Sequence, residues 1–183
     1  MDLREVTEFL KDTAGYIIFL GVMIIIFTFI IAFQPVAGNS MAPTLEDGQI
    51  TIVSKFAYFV NTPKRNEVVV VKKNKKTYVK RIVGLPGESV KYLNGLLYIN
   101  NAPFKEVFLN SDVVTYNFLF EDICSLDECP DGVIPKNKYL VLGDNRPESI
   151  DSRDKTFGLV DKSEIKGRIF FKIFPFNNMG GVN

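Results

Sequence analysis

The hydrophobic residues of this chain form one long block near the N-terminus and many short runs after it. No charged residue occurs from Thr13 to Leu45, and within that stretch residues 16–33 are apolar except for Thr28. About 20 apolar residues in a helix span a hydrocarbon core of roughly 30 Å, and a helix of a soluble protein is rarely apolar on every side. The block therefore predicts a single transmembrane helix, which we place at residues 16–34.

A cleaved secretory signal is the alternative to a permanent anchor. Signal peptides have apolar cores of about 7–15 residues that end at small residues, and Val36 and Gly38 resemble such a cleavage site. The apolar run of this chain is longer than that, which favours an uncleaved anchor.

The lysine and arginine residues near the two ends of the run predict its orientation. Arg4 and Lys11 precede the run, whereas the first basic residue after it is Lys55. This asymmetry predicts a cytoplasmic tail at residues 1–15 and an extracytoplasmic domain at residues 35–183.

Beyond the membrane segment, short apolar runs alternate with turns rich in Gly, Pro and Asn, a pattern typical of β-strands. The dipeptide Asn94-Gly95 is the strongest hairpin signal among these turns. Helical periodicity is not sustained outside the anchor, so we predict a mainly β protein with one transmembrane helix and an all-β domain. Strands are predicted at Ile50–Val53, Phe56–Val60, Val68–Val71, Thr77–Val83, Ser89–Tyr92, Leu96–Ile99, Tyr139–Leu142 and Gly167–Phe174.

Residues 101–132 are less regular, and we interpret them as a variable insertion. They contain both cysteines of the chain, Cys124 and Cys129. A local disulfide is expected outside the cytoplasm, and two unpaired thiols are the alternative. Two cysteines are too few for a disulfide scaffold or a four-thiolate metal site.

The composition limits the chemistry of the domain. The chain has no histidine, which excludes Ser-His-Asp and Cys-His catalytic sites and His-ligated zinc. The 22 Lys and Arg residues against 21 Asp and Glu give a net charge of +1, so general nucleic-acid binding driven by positive charge has no support.

A serine nucleophile without histidine needs another base, and a desolvated lysine is the main option. Strand alternation places Tyr78, Lys80 and Ile82 on one face. If that face is buried, neutral Lys80 is favoured; lowering its pKa from about 10.4 to about 7–8 requires roughly 4 kcal/mol. The alternative is a lysine whose stem lies on the sheet while its ammonium reaches water.

Ser40 is the matching candidate nucleophile. It follows Gly38-Asn39 and precedes Met41-Ala42-Pro43, on an irregular turn just beyond the predicted membrane exit. The backbone of such a turn is open to a substrate, although most serines in this context only form turns.

Four segments, in this order, carry a resemblance to a known family. They are GNSMAPTLEDG at residues 38–48, PKRNEVVVV at 63–71, YVKRIVGLPGE at 78–88 and GDNRPESIDSR at 143–153, with GRIFFKIFPF near the C-terminus as a weaker fifth. The chain thereby resembles the bacterial type I signal peptidases, membrane-anchored Ser/Lys endopeptidases that remove signal peptides from exported preproteins.

The resemblance implies a role for each matching position. Ser40 corresponds to the nucleophile, whose backbone N–H also binds the oxyanion, and Lys80 corresponds to the general base. The supporting positions are Ser149, which orients the base, the ion pair of Asp151 and Arg153, and Asp144 in the same segment. The resemblance implies neither a cofactor nor a metal.

Three positions depart from the pattern of the family. Some members have a second oxyanion donor, a hydroxyl, at the position that is Gly38 here. Residues 154–157 separate Arg153 from Gly158, and this segment is two residues longer than in the commoner pattern of the family. Gln49 stands where members of the family frequently have an aspartate.

The resemblance implies cleavage through an acyl-enzyme of extended peptides that pair with strand edges and carry small residues at positions −1 and −3. The implied partners are signal peptides, the lipid bilayer and the secretion machinery, and the implied location is the cell membrane. Two alternatives bind rather than cleave: a tethered assembly factor for surface appendages, and an anchored module that binds anionic surfaces through Lys72–Lys76.

Overall fold

The computed structural model of the chain describes residues 2–109, 113–125 and 127–182. An N-terminal helix, α1 (Leu3–Ile25), continues as one π-helical turn (Ile26–Ile30). Of the helices within these described ranges, only the stretch Arg4–Ile30 has the length and apolar composition to cross a membrane. None of the residues in its most apolar window is buried.

The helix differs in both bounds from the predicted 16–34 segment. It begins in the charged tail, where Asp2 caps it and donates its backbone N–H to Glu5 Oε2 at 3.0 Å. It ends at Ile30, because the last residues of the apolar run form strand β1 (Ile31–Pro35), which pairs with β2 (Ile50–Ser54). The Lys55 N–H caps the helix end by donating to Ile30 O at 2.9 Å.

The predicted mainly β class is confirmed. The large sheet has the strand order β1-β2-β10-β3-β4-β8-β9, and β11 pairs with β10. A smaller sheet has the order β5-β6-β7. The other bounds are β3 (Val68–Lys73), β4 (Lys76–Gly84), β5 (Val90–Leu93), β6 (Leu96–Ile99), β7 (Ala102–Phe104), β8 (Lys138–Leu142), β9 (Val160–Asp161), β10 (Ile165–Phe174) and β11 (Gly180–Gly181).

One predicted strand is wrong. Residues Ala57–Val60 form a short helix, α2, instead of a strand. The side chain of Phe59 is 86% exposed, so this apolar run has no packed sheet surface to join. A second short helix, α3 (Phe120–Ile123), lies in the irregular 101–132 region.

The predicted hairpin turns are confirmed. Asn94 and Gly95 have φ angles of 52° and 77°, as a type I′ turn requires at both central positions. The basic tip between β3 and β4 turns at Asn74 and Lys75, which also have positive φ angles, of 51° and 63°.

Both faces of the large sheet are covered, each by its own apolar cluster. Strand β3 contributes Val69 and Val71 to one cluster and Val68 and Val70 to the other. A third cluster joins the small sheet, α3 and the end of β8. Lysine or arginine side chains in the middle of this sheet are therefore withdrawn from water on either face.

The 101–132 region packs onto this third cluster. Cys124 and Cys129 form a disulfide, and both are buried there. Residues 110–112 and 126 of the predicted insertion lie outside the described residues.

Candidate active site

Lys80 lies in the middle of β4 with 2% of its surface exposed. It pairs with Val69 of β3, and its neighbours on the same face, Tyr78 and Ile82, belong to the cluster that also contains Val69. Of the two interpretations of this lysine, the structure supports the buried one. This burial lowers the pKa of Lys80 to about 8, while Asp151 raises it, Arg153 lowers it and Asp144 raises it to smaller extents.

The Lys80 ammonium is oriented by a serine from the other end of the domain. Its Nζ donates to Ser149 Oγ at 3.0 Å. Ser149 is part of the 143–153 loop, which follows β8, and β8 pairs with β4 next to Lys80 at Arg81 and Leu142. The strand pairing thus brings together two residues that are 69 positions apart in the sequence.

Ser40 lies on a turn that follows β1, and hydrogen bonds hold this turn on two sides. Gly38 has a φ of 81°, a left-handed conformation that glycine adopts without strain, and its N–H donates to Asp47 Oδ1 at 2.6 Å. Asn145 of the 143–153 loop donates its backbone N–H to Ser40 O at 3.1 Å and its Nδ2 to Asn39 O at 3.1 Å.

Gly143 is the point where the Ser40 turn and the 143–153 loop touch. A Cβ at this residue would lie 2.6 Å from Ser149 Cβ, and closer still to Ser149 Oγ and Ser40 O. Only a residue without a side chain allows this approach, so Gly143 sets the spacing of the two serines.

Ser40 and Lys80 line one open cavity of about 300 Å³, together with Tyr78, Glu148 and residues 37–39. A neighbouring cavity of about 90 Å³ is lined by residues 34–37, Ser40, Met41 and residues 77–79. Among the described residues, the Ser40 N–H has no hydrogen-bond acceptor, so it is free to bind one in the cavity.

Strand edges border this site. Within the described sheet β1 pairs only with β2, and residues 76–80 of β4 pair only with β3. The free edge of β1 at Gln34 and Pro35 and that of β4 at Thr77–Val79 meet across the small cavity. Two unpaired edges that face one groove are suited to an extended peptide.

Two buried ion pairs support the loop. Asp151 accepts from Arg153 Nε and Nη2, both at 2.8 Å, and from the Gly143 N–H at 2.9 Å. Asp144 accepts from Arg81 Nε at 2.9 Å and Nη2 at 2.6 Å. The structure therefore gathers all the predicted supporting residues around Ser40 and Lys80.

Sequence reasoning missed several residues of this network. Alternation puts Arg81 on the face of β4 opposite to Lys80, but the sequence does not indicate its partner. Thr44, whose Oγ1 donates to Asp144 Oδ2 at 2.6 Å, Asn145 and Arg146 were not selected. The matching segments contain all four, and only the long-range contacts single them out.

The departures from the family pattern are accommodated locally. The additional residues lie in a turn in which Asp154 O accepts from the Phe157 and Gly158 N–H groups at 2.9 and 2.8 Å. Phe157 is buried and packs edge-on against Tyr78 with ring centroids 5.1 Å apart. Gln49 is buried too, and its Nε2 lies 3.4 Å from Glu46 Oε2.

Comparison with known proteins assigns the family. The family model described as "Signal peptidase, peptidase S26" matches residues 8–174. The chain is 37% identical to signal peptidase IB of Staphylococcus aureus (strain COL) over 95% of this chain and 92% of the relative. It is 38% identical to signal peptidase I of Bacillus caldolyticus over 81% and 82% of the two chains.

A solved structure agrees with this assignment. The crystal structure of a signal peptidase I from Enterococcus faecalis V583 superposes with a TM-score of 0.51 at 34% identity, covering 60% of this chain and 97% of that one. The fold and these relatives define the protein as a serine endopeptidase. The chain belongs to the signal peptidase family, peptidase S26, whose members cleave signal peptides, and the tethered assembly factor is not favoured.

Proposed function

We propose that Ser40 is the nucleophile and Lys80 the general base of signal-peptide cleavage. The observation that carries this proposal is the burial of Lys80 beside a cavity that it shares with Ser40. A lysine with a pKa of about 8 is partly neutral near physiological pH, and a neutral amine accepts a proton.

The proposed reaction has two halves. Ser40 Oγ attacks the carbonyl carbon of the scissile bond while Lys80 Nζ takes the hydroxyl proton. The C–N bond then breaks, the leaving amine receives that proton, and the signal peptide remains on Ser40 as an ester. Lys80 next takes a proton from water, whose oxygen attacks the ester, and Ser40 Oγ leaves with the proton.

The oxyanion of both steps is bound by the Ser40 N–H in this proposal. Among the residues that the structure describes, this N–H has no acceptor, which supports that role. The Gly38 N–H is directed at Asp47 instead, so a second donor would have to come from elsewhere. A single oxyanion donor contributes about 3–4 kcal/mol of transition-state stabilisation in other serine peptidases.

The substrate is proposed to bind as an added strand between the free edges of β1 and β4. Backbone hydrogen bonds then provide affinity, and side-chain pockets provide specificity. The cavity of about 90 Å³ beside Ser40 supports a preference for small residues at positions −1 and −3.

We infer a cytoplasmic tail at residues 1–15, a single membrane-spanning helix and an extracytoplasmic catalytic domain from residue 35 onward. Ser40 follows the helix end, Ile30, by so few residues that it lies within about 35 Å of it. The site would therefore meet a signal peptide that is still held in the bilayer, as the secretion machinery delivers it.

Cleavage of a preprotein with an A-x-A site in lipid vesicles tests the mechanism. Ser40→Ala and Lys80→Ala should each abolish processing. Ser163→Ala and Lys72→Ala, which change an exposed serine and an exposed lysine of the same domain, should process normally. Full processing by either site variant would exclude the Ser40/Lys80 mechanism.

A further inference from the structure

Two buried arginines bond to the start of the 143–153 loop, Arg81 to Asp144 and Arg146 to Gly143 O. Both also contact the irregular 101–132 region. The guanidinium of Arg81 lies over the Phe108 ring, 4.1 Å from its centroid. Arg146 forms an ion pair with Glu106 at 2.5 Å, with side-chain exposures of 0% and 6%. The region outside the matching segments therefore reaches the residues next to the proposed catalytic pair.

Arg146 connects Glu106 to the backbone of the 143–153 loop. Its Nη1 and Nη2 donate to the two carboxylate oxygens of Glu106 at 3.2 and 2.5 Å, and Nη1 also donates to Thr115 Oγ1 at 3.2 Å. Its Nε donates to Gly143 O at 3.0 Å, and its own carbonyl accepts from Arg153 Nη2 at 2.8 Å. Arg146 thus contacts both ends of the loop, Gly143 through its guanidinium and Arg153 through its backbone carbonyl.

The loop passes this constraint on to the proposed catalytic residues. Gly143 approaches Ser149 and Ser40 as closely as a glycine allows, and Ser149 accepts from Lys80 Nζ at 3.0 Å. A shift of Gly143 would therefore change the positions of Ser149 and Ser40 together.

Glu106 is the group that compensates the charge of Arg146. A buried guanidinium without its carboxylate is strongly unfavourable, so it moves toward water. A cavity of about 600 Å³ lies beside Glu106 and is also lined by Tyr92, Phe104 and Leu109. This space allows water to enter and the Arg146 side chain to move away from Gly143 O.

We propose that Glu106 is a positioning residue for peptide cleavage, acting through Arg146 to hold Gly143 and Ser149 in the geometry that Ser40 and Lys80 require. This proposal rests on the proposed Ser40/Lys80 mechanism. Glu106 itself touches neither of those residues among the contacts of the described chain.

The test is a comparison of full-length Glu106→Gln, Glu106→Asp and wild type in the vesicle assay. For Glu106→Gln we expect kcat to fall about tenfold or more with little change in KM, the pattern of a lost transition-state geometry. Water near Lys80 would also move the pH midpoint of kcat/KM upward, toward that of an ordinary lysine, while its charged neighbours Asp151, Arg153 and Asp144 remain unchanged. Glu106→Asp should recover part of kcat.

Glu88→Gln is the matched control, because it breaks the ion pair of Arg65 and Glu88, which is also largely buried and lies outside the site. It should lower the melting temperature and leave kcat and the pH midpoint unchanged. If Glu106→Gln behaved in the same way, Glu106 would be a purely structural residue and the proposal would be wrong.

Two further measurements keep the outcome clear. If Glu106→Gln fails to fold, Thr115→Val removes a different partner of Arg146 and should give a smaller fall in kcat; an unchanged kcat in that case would overturn the proposal. Hydrogen exchange of the Asn145 N–H, which bonds to Ser40 O, should be faster in Glu106→Gln.

If Ser40→Ala retained activity, the failure would lie in the proposed mechanism; a wild-type kcat in Glu106→Gln alone would overturn only the role of Glu106.

Discussion

At the scale of single residues, the proposed chemistry depends on the removal of one lysine from water. Lys80 is almost completely buried, and this desolvation is the largest cause of its lowered pKa. The carboxylates of Asp151 and Asp144 oppose the shift, and Arg153 assists it. Because each carboxylate has its own arginine, neither holds the proton on Lys80 as an unpaired acid would.

The first prediction concerns the pH dependence of activity. Because the proposed reaction needs neutral Lys80, kcat/KM should rise with pH through a midpoint near the Lys80 pKa of about 8 and then level off. A pH series of kcat/KM on a peptide substrate measures this midpoint. A flat profile between neutral and alkaline pH would contradict the role of Lys80 as the base.

The second prediction concerns stability. Lys80 binds its proton less tightly in the folded state, with a pKa of about 8, than in the unfolded state, whose value is near 10.5. Its burial therefore lowers stability at pH 7, and stability rises with pH between these two values. Lys80→Met should raise the free energy of unfolding by about 2–3 kcal/mol at pH 7, an advantage that disappears near pH 10.5.

Urea unfolding of the detergent-solubilised protein at several pH values measures this difference. Lys72→Met removes an exposed lysine of the neighbouring strand and controls for the loss of one positive charge. An equal gain from Lys72→Met would mean that net charge, and not the burial of Lys80, is responsible.

At the scale of elements, the site forms where the turn after β1 meets the loop after β8. The turn after β1 carries Ser40, and the loop after β8 carries Ser149. Strand β4 brings Lys80 between them, since it pairs with β3 on one side and with β8 on the other. The hydrophobic pattern indicated β3, β4 and β8 but not β1, whose residues we assigned to the membrane segment, and it did not indicate which strands are neighbours.

The third prediction tests the contact between the two connections. Gly143→Ala should lower kcat/KM about 100-fold or more, because displacement of a catalytic group by about 1 Å has effects of that size and the new Cβ overlaps Ser149 and Ser40 O. Gly180→Ala is the control, since no described atom lies within 4 Å of a Cβ at that position. Comparable losses in both variants would show that Gly143 has no special role in the site.

At the scale of the whole molecule, the N-terminal helix continues directly into the β domain. The helix passes directly into β1, which is both an edge of the sheet and a border of the proposed substrate groove. Lys55 Nζ donates to Thr28 O of the helix at 3.0 Å. The exposed side chain of Phe59 lies in α2, which follows Lys55. The domain is thus fixed to the helix end and not connected by a free linker.

The fourth prediction concerns topology. A tag at the C-terminus should be removed when intact spheroplasts are treated with a protease, and a tag at the N-terminus should be protected, because Arg4 and Lys11 favour a cytoplasmic tail. Detergent should expose both tags. Protection of the C-terminal tag in intact cells would reverse the proposed orientation.

The sequence by itself determined the local features of this protein. The apolar block, the period-two strands, the Asn94-Gly95 turn and the absence of histidine depend on residues that are close together or on composition alone. Even the two faces of β4 follow from alternation. The run Phe56–Val60 was mistaken for a strand because short apolar runs do not distinguish a strand from a helix.

Only the tertiary structure decided how these features combine. Arg81 meets Asp144, 63 positions away, and Glu106 meets Arg146, 40 positions away, because strand pairing and loop contacts bring distant segments together. The burial of Lys80 likewise requires neighbouring strands and the clusters on both faces of the sheet. A local pattern indicates which side of a strand a residue faces, whereas the neighbours that withdraw it from water are set by the packing of distant elements.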